Sequence, residues 1–165
     1  MSDETYTRAV IVTDTEVPVV RITRDFTGTV EQLMRAHTDP ELFRRWVGPK
    51  DLTTTIRAWD ARTGGEWSYV ASRTGDDGLE EYGFHGSFHE VGEDRIVQTF
   101  TFDGWPQAVS LETLTFEDLG NGRTRLHAAS LVDSFEGRDA FIESGMESGV
   151  QEGYDKLDAV LAEAS

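Results

Sequence analysis

The segment from Glu136 to Ala162, EGRDAFIESGMESGVQEGYDKLDAVLA, decides the fold. Ile142, Met146, Val150, Tyr154, Leu157 and Leu161 recur at intervals of three or four residues, which predicts one long amphipathic helix. Its opposite face is acidic, with Asp139, Glu143, Glu147, Glu152 and Asp155. Immediately upstream the period changes from helical to two. Thr124 to Val132 places Leu126, Ala128, Ser130 and Val132 in phase, and the Gly120-Asn121-Gly122 turn joins it to Val109–Glu117. In that strand the apolar phase slips from Val109 and Leu111 to Leu114 and Phe116, which predicts a bulge.

Further outward, Arg95–Phe102 aligns Ile96, Phe100 and Phe102. Tyr82, Phe84, Gly86 and Phe88 share one parity, and Glu81, His85, Ser87 and His89 share the other. Trp67, Tyr69 and Ala71 alternate after the Gly64-Gly65 turn, and Leu52–Trp59 is a further strand. Two short helices precede these strands. Thr29 and Gln32 form a capping box for the first. Thr38 with Glu41, or Asp39 alone, starts the second, with Pro40 in its first turn, and Gly48-Pro49 stops it. Pro18–Phe26 is the first clear strand; residues 1–16 read as a variable arm in which Val10 and Val12 allow an edge strand. Segregated strands and helices define an α+β domain spanning residues 17–165. Its sheet of six or seven strands needs a cover, and only the terminal helix is long enough to cross it, at ~1.5 Å per residue.

The chain has 165 residues, 15 Lys+Arg and 31 Asp+Glu, for a formal charge of −16. That field repels phosphate backbones and anionic lipid, so nucleic acid and membrane surfaces are excluded as expected partners. There is no cysteine, hence no thiol nucleophile and no thiolate metal site. No leader or membrane-spanning segment is evident, and the expected location is the cytoplasm.

Gly145, Gly149 and Gly153 lie four apart in the terminal segment. Each costs roughly 0.8–1 kcal/mol against alanine in a helix interior. Either the sheet approaches closely there, or the missing side chains leave a void, or packing at one end gives way to a cavity at the other. A void lined by Trp67, Tyr69, Tyr82, Phe84, Phe88, Phe100, Met146 and Gly149 would bind a small hydrophobic or amphipathic molecule. Gly104-Trp105-Pro106 would form a lid, with Trp105 a further ligand contact.

Several stretches carry a family resemblance. Thr38-Asp39-Pro40-Glu41-Leu42-Phe43-Arg44-Arg45-Trp46-Val47-Gly48-Pro49, Gly64-Gly65-Glu66-Trp67, and Tyr82-Gly83-Phe84-His85-Gly86 through Val97 come first. The Leu114–Leu126 hairpin and Ser144-Gly145-Met146-Glu147-Ser148-Gly149 follow in order. Together they resemble the activator-of-90-kDa-heat-shock-protein-ATPase homologue-like family of the START-like (SRPBCC, helix-grip) superfamily. Val47 stands where that family has the second tryptophan of a pair. The resemblance implies a helix-grip fold: a curved antiparallel sheet wrapped on a long C-terminal helix, with a hydrophobic cavity between. It also brings in a chaperone as a partner and cyclase- or hydrolase-like chemistry as alternatives to simple binding, since fold alone does not fix function.

No catalytic motif occurs. His85 and His89 lie roughly 13 Å apart along a strand, too far to share a metal ion. His37, closing a helix, reads as a partner for the helix dipole. Glu90 and Arg24 sit on inward parities and are the charges to watch, whereas Glu112 and Asp133 carry no such argument. No catalytic residue, metal or cofactor is assigned, and the expected state is a monomer or homodimer.

Overall fold

The computed structural model describes residues 4–163. Eight antiparallel strands form one sheet. In chain order they are β1 (Val10–Thr13), β2 (Val19–Thr27), β3 (Thr53–Trp59), β4 (Glu66–Gly75), β5 (Gly78–Val91), β6 (Arg95–Phe102), β7 (Ser110–Gly120) and β8 (Arg123–Leu131). Their spatial order is β1-β2-β8-β7-β6-β5-β4-β3. Helices α1 (Val30–Thr38) and α2 (Pro40–Trp46) carry the chain from β2, near one edge, to β3 at the other. Helices α3 (Phe135–Glu143) and α4 (Met146–Glu163) follow β8. The α+β architecture is as expected from sequence, with eight strands rather than six or seven. The added edge strand is β1, which pairs with β2 through Val10, Ile11, Val12 and Thr13.

Local chemistry explains the boundaries. Thr29 and Gln32 cap α1 reciprocally. Asp39 caps α2 through the Glu41 N–H, while the Thr38 hydroxyl donates instead to the Met34 carbonyl, so of the two possible caps Asp39 is the one used. The single long helix expected over 136–162 is two helices. Gly145 takes φ +87°, a conformation that side chains disfavour, and its N–H donates to the Ile142 carbonyl as α3 ends.

The three glycines therefore do different work. Gly145 makes the joint. At Gly153 an added Cβ would lie 3.2 Å from the Trp46 carbonyl oxygen and 3.4 Å from the Gly48 nitrogen, so α4 touches the end of α2 there. At Gly149 the nearest atom to an added Cβ is Pro49 Cγ at 3.7 Å, which leaves room. The tight approach at Gly153 thus eases to ordinary contact distance one turn earlier, at Gly149 on the cavity lining. The Lys156 ammonium reinforces the packed end by donating to the Val47 and Pro49 carbonyls.

Leu33, Phe26, Ile96, Leu126 and Leu157 are among the most deeply buried apolar side chains, and they fix α1 and α4 on the concave face of the sheet. Arg24, on the inward parity of β2, is buried and makes a paired contact with Asp158 of α4 at 2.7 and 3.1 Å. Asp25, its neighbour on the outer face, receives Arg125 in the same fashion and also accepts from the Tyr6 N–H, tying the N-terminal arm to the sheet. Burial pushes the Asp25 carboxyl up, but these donors outweigh it and hold the group below the usual carboxylate range.

Two expectations about strand phase are corrected. β7 has no bulge where its apolar phase slips, since its register with β6 and β8 runs unbroken through Leu111, Glu112, Thr113 and Leu114. Val109 and Leu111 are simply exposed on the outer face, and the inward positions there are Ser110 and Glu112. A bulge does occur in β5, between Phe88 and Glu90. It ends the alternation that would have placed Glu90 inward; the Glu90 carboxylate is half-exposed and lies 3.4 Å from Arg95.

Candidate functional site

Between the sheet and α4 lies a cavity of about 650 Å³. Trp67 and Tyr69 of β4, Tyr82 and Phe84 of β5 and Phe100 of β6 form one wall. The rings pack in sequence: Trp67 lies 5.6 Å from both Tyr69 and Phe100, and Phe84 lies 5.2 Å from Tyr69 and 5.3 Å from Phe100. Alternation along each strand puts these side chains on one face, and antiparallel register brings Tyr69 opposite Phe84 and Trp67 opposite Gly86. Met146, Gly149 and Val150 of α4 face them across the space, with Phe141 of α3 and Pro49 beside α2.

Seven of the nine residues expected to contact a ligand line this cavity. Phe88 and Trp105 do not. Phe88 is fully packed in the core, 5.8 Å from Trp59. Trp105 lies in the β6–β7 loop, 53% exposed and away from the lining, so the expected lid is not seated over the cavity. His85 and His89 project outward, and the His85 Nδ1 lies 2.6 Å from Asp103 on the outer face.

Sequence reading missed the polar part of the lining. Cross-strand register aligns Gln98 of β6, Glu112 of β7 and Ser130 of β8 in one row. The Gln98 amide donates to Glu112 Oε1 at 3.0 Å, and the Ser130 hydroxyl donates to Oε2 at 3.1 Å. Burial pushes the Glu112 carboxyl above the usual carboxylate range, against the lowering effect of these two donors. The Tyr69 and Tyr154 hydroxyls are in turn held above the ordinary phenol range, by burial first and by the Glu112 charge second. The signal was available: carrying the Leu114/Phe116 parity backwards along β7 places Glu112 and Ser110 inward.

His37, in the last turn of α1, is buried and also belongs to the lining. Its ring sits 4.8 Å from Trp46 and 5.1 Å from Phe116, and its Nδ1–H donates to the Leu33 carbonyl at 2.7 Å. Nε2 is buried with no partner, and burial pushes the imidazole pKa down to about 4, against the Leu33 carbonyl, which acts to raise it.

A curved antiparallel sheet closed over an apolar cavity by its C-terminal helix places the protein in the START-like, helix-grip class. Within that class the sequence matches the family described as "Activator of Hsp90 ATPase homolog 1-like protein" over residues 27–162, and the chain belongs to that family. A protein from Arthrobacter aurescens, solved in solution, is 27% identical, with a TM-score of 0.82 over 93% of this chain and 91% of that one. A Rhodobacter sphaeroides protein gives 27% identity and a TM-score of 0.82 over 94% and 99%. A Mycobacterium smegmatis protein, 24% identical over 93% and 96%, shares the fold with a TM-score of 0.81. No curated protein matches the chain. Among the described residues no helix is long and apolar enough to cross a membrane.

Proposed function

We propose that the protein binds one small hydrophobic or amphipathic molecule in the cavity between the sheet and α4. The observation that carries this reading is the hollow itself. Protein interiors normally close-pack, yet about 650 Å³ is left open beside a run of aromatic rings, a size within the range of small-molecule sites. Fold kinship supports it, since START-like proteins commonly hold hydrophobic ligands. The lining is mostly apolar, and its polar groups, among them Glu112 and His37, offer contacts for a ligand's head.

Gly149 provides the test. Its α4 position accepts a Cβ without collision, so Gly149→Ala is expected to raise stability by up to about 1 kcal/mol through helix propensity alone. Gly149→Leu sends a branched side chain into the space. It is expected to fold, with an unfolding midpoint near that of the native chain, and to lose binding of a neutral polarity-sensitive dye by about tenfold or more. Undiminished dye binding in the leucine variant, or no dye binding by the native protein, would overturn the reading.

A further inference from the structure

The Gln98–Glu112–Ser130 row is out of place in an apolar cavity. In register it is flanked by Phe88 of β5 and Val20 of β2, both buried. A carboxylate set on the inward face of a sheet ordinarily meets a cation. Among the described residues none pairs with this one. The arginine in the lining, Arg73, is turned to Glu80 at 2.8 Å and to Asp51. Arg24 is engaged by Asp158 and Asp155. Gln98 and Ser130 supply one donor to each Glu112 oxygen, whereas a carboxylate offers about four acceptor sites. Acceptor capacity therefore remains, and the part of Glu112 not covered by protein opens into the cavity.

Resting on the proposed binding function, we infer that the cavity selects ligands with an apolar body and a hydrogen-bond-donating head, an amine or a hydroxyl, which Glu112 receives. Ligands with an anionic head are rejected. A carboxylate head would face the Glu112 charge with no uncommitted cation in the lining, so the like-charge contact goes uncompensated in a medium of low polarity. A donor head instead fills the open acceptor sites. Gln98 and Ser130 are positioning residues: they hold the carboxylate plane across β6, β7 and β8 so that its free edge faces inward.

The test uses the full chain and three probes of equal chain length: decylamine, decanol and decanoate. Each displaces a neutral polarity-sensitive dye, at high ionic strength so that the general charge of −16 is screened. The amine, the alcohol or both are expected to bind at least about tenfold more tightly than decanoate, the size of one hydrogen bond to a charged group. Tight amine with weak alcohol identifies an ionic contact, and equal affinities identify a neutral donor; both support the inference. Glu112→Gln keeps the side-chain shape, and in it the preference among the three probes, each read against that variant's own dye affinity, should collapse to within about threefold. Native protein that takes decanoate as tightly as the others overturns the inference whatever the variant does, and leaves the binding function standing. A preference that survives Glu112→Gln removes Glu112 from the role. Failure of the dye and of all three chains to bind overturns the binding function as well.

Discussion

Gly86→Ala is expected to cost about 3 kcal/mol or more of folding stability, the upper range for overpacking a closed interior. Gly86 lies mid-β5, opposite Trp67. A Cβ there would fall far inside contact distance of the Thr99 carbonyl oxygen on β6, and 2.7 Å from Cζ2 and Nε1 of Trp67. Neither obstacle yields easily. The Thr99 carbonyl is backbone, and its residue is held to β5 by the Ser87 N–H, which donates to the Thr99 hydroxyl at 2.9 Å. The Trp67 ring is almost wholly buried and wedged against Tyr69 and Phe100. Relief would require moving either the β5–β6 ladder or one wall of the cavity. Urea denaturation measures the loss, and dye binding by whatever fraction folds reports the wall. A midpoint within experimental scatter of the native one would show that β5 and β6 separate more readily than their hydrogen bonds imply.

The second large effect concerns acid. His37 is neutral in the fold because burial holds its pKa near 4, whereas a free imidazole titrates near 6.5. Above 6.5 neither state is charged and the full contribution is present. As pH falls from 6.5 towards 4, the unfolded chain takes up a proton that the folded one refuses, so stability is lost across that window. The separation corresponds to roughly 3 kcal/mol. His37→Phe keeps a ring between Trp46 and Phe116 but does not titrate. The native chain should therefore lose about 3 kcal/mol more than this variant between pH 6.5 and 4, as read from urea midpoints at each pH. Glu112 works the other way. Its raised pKa makes its ionisation costly in the fold, so acidification relieves that cost. Equal pH slopes for the native chain and His37→Phe would mean that the imidazole meets solvent.

Period and turn chemistry made most of the architecture readable from sequence. Alternation in β4, β5 and β6 assigned the aromatic wall, and the Thr29 capping box placed the start of α1. Two kinds of error remained. The first came from assuming that the inward face is apolar. Under that assumption Glu112 and Ser110 looked like a slip in phase, whereas they are an inward polar pair on a regular stretch of strand. The second came from carrying a period across a residue that interrupts it. Ile142 and Met146 keep helical spacing through Gly145, yet its positive φ divides the segment in two. In the same way Glu90 keeps the parity of Phe88, but the β5 bulge turns it outward. Periodicity reports which face a side chain would occupy if the backbone were regular. Gly145 and the β5 bulge are where that regularity lapses.

The contrast between Gly149 and Gly153 has a consequence for how such a scaffold diversifies. One glycine sets α4 against the end of α2; the other, a single turn away, meets only Pro49 beside the cavity. Capacity is thereby uncoupled from attachment. Larger residues at position 149 would narrow the cavity without touching the contact made at 153, so its width can be changed by exchanging one residue.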